Sequence, residues 1–157
     1  MRAGGEIENS IIGDYSNKHH EGFIGHSVLG NWVNIGALAT TSDLKNNYGE
    51  VRLVLPEGNP ANSGLKEVSS GTIKFGSILG DCVKISIGSM LYTGTVIDAG
   101  SNIFGGNPGK YMPPLSWGLN GEKYDPERFI KDQKVIFQRR GQNPHPQMRN
   151  LVNYFVP

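Results

Sequence analysis

The chain is poor in cysteine, in net charge and in long apolar stretches. A single cysteine, Cys82, in 157 residues excludes an internal disulfide and a Cys-rich zinc site. Fifteen Lys and Arg stand against fourteen Asp and Glu, leaving a net charge of +1. That balance gives no bulk electrostatic case for nucleic acid or for an anionic membrane surface. The N-terminal region holds no long apolar run, so neither a signal peptide nor a spanning helix is expected, and a cytoplasmic setting follows. No Gly-Lys-Ser/Thr phosphate loop occurs. The length points to one domain.

What is present is glycine, 22 residues of it, set among Ile, Leu and Val at regular intervals. From Gly71 to Gly106 an aliphatic residue recurs every sixth position: Ile73, Leu79, Ile85, Leu91, Ile97, Ile103. Four places after each of the first five comes a small or β-branched residue: Ser77, Val83, Ser89, Thr95, Ser101. Neither the helix period of 3.6 nor the strand period of 2 yields this pattern. A chain that turns a corner every six residues does. Three hexads close a triangular coil of about 18 residues, and coils stack at the strand spacing of about 4.8 Å. The aliphatic residue points inward, the small residue fits the corner, and Gly88, Gly94 and Gly100 relieve strain at turns. Phe23, Leu29 and Ile35 repeat the spacing, with Ser27, Val33 and Ala39 four places on and Ile11 as a weaker extension. The reading is an all-β parallel β-helix with about two coils over 5–40 and two over 71–106.

Residues 42–70 break the period and read as a loop or hairpin thrust out between coils, a place where repeat proteins often bind. The Pro-rich NPGKYMPPLSWG run after Gly106 is expected to end the solenoid, closing a β-helix domain over 1–118. A helical extension over 119–157 follows. Asp125 caps its helix, with Pro126 at the first position; Phe129, Ile130, Val135, Ile136 and Phe137 form the apolar stripe, and Arg139, Arg140 and Gly141 stop it. A short second helix over 147–156 is expected, and such an element would cover the open end of the prism.

The stretch Ser16-Asn17-Lys18-His19-His20-Glu21-Gly22-Phe23-Ile24-Gly25, with Val33-Asn34-Ile35-Gly36-Ala37 after it, resembles the acceptor-site coil of hexosamine-1-phosphate N-acetyltransferases. These are the C-terminal domains of bifunctional sugar-phosphate nucleotidylyltransferases. TTSDLKNNYGEVRL, SILGDCVKISIG and NIFGGNPGKYMPPLSWG are similar to a branch of that family described only as sugar nucleotidyltransferases. The resemblance covers roughly residues 5–118. It implies a left-handed coil, a homotrimer, acetyl-CoA as co-substrate and an amino sugar phosphate as acceptor.

It further implies that His20 is the general base, removing a proton from the acceptor's amine before attack on the thioester; His19 is the neighbouring alternative. Asn34 matches a position that contacts the sugar, and an asparagine ladder is the other reading of it. Asp43 stands where well-studied members have asparagine. Ionised, it donates no hydrogen bond, but it can hold His20 in one tautomer or attract the acceptor's ammonium group. Lys18 and Lys45, with Tyr48 nearby, would neutralise the sugar phosphate. Phe23 replaces a tyrosine and is expected in the core. Gly105 matches a position along the acetyl-CoA groove, and Arg139 and Arg140 are candidates for its phosphates. Cys82 is a packing thiol, and no metal is expected.

The nucleotidylyltransferase half of that family is missing here. The chain therefore reads as a C-terminal domain or as a short relative. The alternative function is a non-catalytic trimerising module for nucleotidylyltransferase domains.

Overall fold

The computed structural model describes residues 1–60 and 63–156. The hexad repeat folds into a left-handed parallel β-helix of about six turns. Its first face stacks Arg2–Ala3, Asn17–Lys18, Asn34–Ile35, Lys84–Ile85 and Asn102–Ile103 in parallel, and a bridge from Asn102 to Trp117 adds the last rung. The second face carries Glu6–Glu8 beside Phe23–Gly25 and Thr40–Thr41 beside Met90–Leu91. The third carries Ile11–Ile12, Val28–Leu29, Ser77–Leu79, Thr95–Ile97 and Tyr111–Met112.

The corners explain the spacing. One residue enters the left-handed region and the next is small and buried: Trp32 (φ 60°) then Val33, Leu38 (63°) then Ala39, Gly88 (67°) then Ser89, Gly94 (69°) then Thr95, Gly100 (75°) then Ser101. Corner serines also stitch turns together. Ser16 Oγ donates to Gly30 O at 2.8 Å and accepts from Val33 N at 2.9 Å. Leu29, Ile35, Leu79, Ile85, Leu91, Ile97 and Ile103 fill the interior. Each contributes about 1.5–3 kcal/mol by leaving water.

Four expectations are corrected. Phe23 is only half-buried and its neighbour Ile24 takes the inward place; likewise Ile12, not Ile11, packs on the core. The cause is that the turns from Glu6 to Asp43 advance 17 residues (Val28 lies over Ile11), whereas those from Ser77 to Ile103 advance 18 (Thr95 over Ser77). Ile73 is 48 % exposed because it lies outside the coils, in the returning limb of the insertion. There are about six turns rather than four. The Pro-rich run supplies the final rung: Val96 N and Asp98 N donate to the carbonyls of Lys110 and Met112, so the prolines at 113 and 114 follow an edge strand.

The insertion leaves at a Leu44–Lys74 antiparallel bridge and projects a hairpin of Arg52–Pro56 against Leu65–Ser69. Two helices follow the solenoid: α1 (Pro126–Gln138), capped by Asp125 Oδ1 accepting from Arg128 N, and α2 (Met148–Phe155). Neither caps the prism end as expected. α1 lies along one corner, where Tyr15, Trp32, Cys82, Gly100 and Leu115 occupy successive turns. Trp32 stacks between Tyr15 (4.3 Å) and Phe137 (4.0 Å). A Cβ on Gly100 would meet Leu115 and Phe129, so that glycine admits the helix. Phe129, Gln133 and Phe137 face inward while Val135 is exposed. Leu119 packs on the prism core in place of a helix. No helix among the described residues is long and apolar enough to cross a membrane.

Two corner glycines separate strain from crowding. At Gly88 a Cβ meets nothing, whereas at Gly94 it would lie 2.5 Å from Arg52 O. Gly88→Ala should cost about 1 kcal/mol, from the left-handed conformation alone. Gly94→Ala should cost about 3 kcal/mol or more, since overpacking adds to that strain. Urea unfolding of both variants measures the gap; equal costs would overturn the corner analysis.

Candidate functional site

The 17-residue advance sets Asn9 and His26 at one corner in adjacent turns, both in the left-handed region (φ 43° and 46°). The same advance leads from His26 to Asp43, where the chain departs into the insertion. Gly76 returns to the vacated corner, its N–H donating to His26 O at 2.9 Å. Only glycine fits there, because a Cβ would stand 2.0 Å from Gly25 O. Phe75 N donates to Asp43 O at 2.8 Å and ties down the insertion root. The root thereby delivers the Asp43 carboxylate to the His26 ring.

His26 Nδ1 lies 2.6 Å from Asp43 Oδ2, and the two side chains are 21 % and 14 % exposed. An ionised carboxylate only accepts, so Nδ1 carries the proton and donates it. The lone pair of the neutral ring is then on Nε2, where Asn9 Nδ2 stands 3.3 Å away. The Phe23 ring and the Asp43 carboxylate both lie against Gly25. A Cβ on Gly25 would lie 2.2 Å from Phe23 Cζ and 2.9 Å from Asp43 Oδ2, so bare Gly25 admits both groups. A Lys74–Glu8 pair at 3.9 Å borders the site. An imidazole oriented by a carboxylate, with its far nitrogen at the surface, is equipped to accept a proton.

The residues singled out from sequence fall in separate places. His20 is exposed, its ring edge-on to that of His19 at 5.1 Å. Asp43 pairs with His26, while Asn34 sits on the first face, its Oδ1 accepting from Asn17 Nδ2 at 3.0 Å in an asparagine ladder. Lys18 occupies an inward position of the first turn, and its Nζ donates to Gly4 O (3.0 Å) and His20 O (2.5 Å). Lys45 Nζ donates to Glu50 O within its own loop, and Tyr48 is exposed. Gly105 is exposed after the last full turn. Arg139 and Arg140 line a first-face cavity together with Asn34. Cys82 is buried, and burial pushes its thiol up to about 11. Among the described residues no three of His, Cys, Asp and Glu group closely enough to hold a metal ion.

Sequence reasoning passed over His26 as the partner of Asp43. The signal was the 17-residue interval linking Asn9, His26 and Asp43, hidden because later turns advance 18. No protein-family model matches this chain, and no curated protein matches it.

Lys18 allows a test of its placement. Burial lowers its pKa from 10.5, against a smaller opposing effect of Glu21. The folded chain therefore gives up this proton at lower pH than the unfolded chain. Wild type should gain stability relative to Lys18→Met as pH rises towards the unfolded-chain value of about 10.5. Urea midpoints across that window measure the difference; a flat one would place the ammonium in solvent.

Proposed function

We propose that the chain is an acyltransferase of the hexapeptide-repeat type that moves an acetyl group from acetyl-CoA to the amine of an amino sugar phosphate, with His26 as general base. The observation that carries this reading is the 2.6 Å contact between His26 Nδ1 and Asp43 Oδ2. The sequence likeness to hexosamine-1-phosphate N-acetyltransferases supplies the substrate class. Exposed Leu38, Ile87, Met90 and Tyr92 favour association of copies, in keeping with the trimer which that likeness implies.

The neutral acceptor amine displaces the exposed Asn9 amide and comes within reach of Nε2, which takes one N–H proton as the new carbon–nitrogen bond forms. Its nitrogen attacks the thioester carbonyl, the carbon–sulfur bond breaks, and the leaving thiolate takes the proton back from His26. Asp43 holds the ring in the tautomer that leaves Nε2 free and stabilises the imidazolium formed. Where the resemblance points to His20, the geometry favours His26, since His20 has no carboxylate partner among the described residues.

Thiol release from acetyl-CoA, measured with a panel of amino sugar phosphates, tests the proposal. His26→Ala should lower the rate by about 10²–10⁴, and His20→Ala should leave it nearly unchanged. Gly25→Ala should also lower the rate while the chain stays folded by circular dichroism, because the added methyl pushes Asp43 and Phe23 aside. Release lost in His20→Ala but kept in His26→Ala would transfer the base to His20. No release with any acceptor would leave the trimerising module as the function.

A further inference from the structure

The cavity beside the first face, about 600 Å³ in volume, lies at a different corner from the dyad. The first face and the end of α1 build it. Arg2 comes from the first rung, Asn17, Asn34 and Lys84 from the stacked face, and Arg139 and Arg140 from the end of α1. Four cations meet there, and no Asp or Glu among the described residues lines the cavity. Among the described residues none of the three arginines forms an ion pair. Lys84 Nζ is held by Trp32 O (2.6 Å) and Cys82 O (3.1 Å), and burial lowers its pKa. In a chain of net charge +1, such a one-sign cluster is repulsive until an anion enters.

The remaining lining has the chemistry for an organic group. The Asn17–Asn34 contact uses one donor and one acceptor, which leaves amide valences of both signs for a polar ring or hydroxyls. Tyr15 also borders the cavity, stacked on Trp32 at 4.3 Å and 7° and still partly exposed. The volume lies within the range of small-ligand sites.

We propose that this cavity binds a nucleoside diphosphate moiety, with its phosphates on Arg2, Lys84, Arg139 and Arg140 and its ring against Tyr15 and the asparagine ladder. A free nucleotide and the nucleotide end of coenzyme A share this chemistry. The site stands independently of the dyad, and its test needs no turnover.

Calorimetric titration of the full chain with ADP, coenzyme A and inorganic pyrophosphate reads it directly. Saturable ADP binding is expected, tighter than that of coenzyme A and weakening as salt rises. The Arg139→Gln/Arg140→Gln double variant should weaken it at least about tenfold, the scale of a lost charge-assisted hydrogen bond. Both arginines are exposed, so the variant should fold. Tyr15→Ala should weaken ADP more than pyrophosphate, and His26→Ala should change neither. Tighter ADP than coenzyme binding assigns the site to a free nucleotide and sustains the proposal, whereas tighter coenzyme binding returns the cavity to the acyl donor and overturns it. It is also overturned by absence of saturable binding at millimolar ligand, by pyrophosphate binding as tightly as ADP, or by indifference to the double variant.

Discussion

Everything in this molecule hangs on the corner. A polypeptide that bends every five or six residues must place one residue in the left-handed region, at a cost of roughly 1–2 kcal/mol when that residue is not glycine. Tyr15, Trp32, Cys82 and Leu115 all bear it at one corner. There a left-handed residue aims its side chain away from the prism, where α1 covers it. Trp32 against Phe137 and Leu115 beside Phe129 bury enough surface to offset the strain. The helix is thus part of the reason the corner holds.

The corner rule was legible because small residues are obligatory where the backbone crowds. Ser27, Val33, Ser89 and Ser101 are buried as the spacing required. The α1 start was equally legible, since Asp125, Pro126 and Glu127 satisfy local needs of a helix terminus. What escaped detection depended on turn length. A pentad in place of one hexad moved Ile24 inward and Phe23 outward, and it brought His26 beneath Asp43. Lys18 escaped for another reason. An end turn has an inward position that reaches backbone carbonyls, so an ammonium on a long apolar stem can sit there.

The site owes its geometry to the insertion more than to the solenoid. A regular third turn would set another corner residue above His26 and carry the chain onward. Instead the chain leaves, Gly76 returns into a space with no room for a Cβ, and Asp43 is left turned towards the imidazole. The cationic cavity has a comparable origin, since α1 ends beside the first face and brings two arginines to a wall of amides.

The insertion has one more effect. Val28 lies over Ile78, Asn34 over Lys84 and Thr40 over Met90, each pair 50 residues apart. A single seam, one rung per face, therefore joins the first half of the column to the second. In stacked architectures each layer feels only its neighbours. Damage elsewhere is shared with continuous chain on both sides, but this seam depends on loop closure across the whole hairpin. Lengthening that hairpin costs little, about 0.6 kcal/mol per doubling. The column can therefore accept large variation in the projecting arm without shifting the layers above or below it.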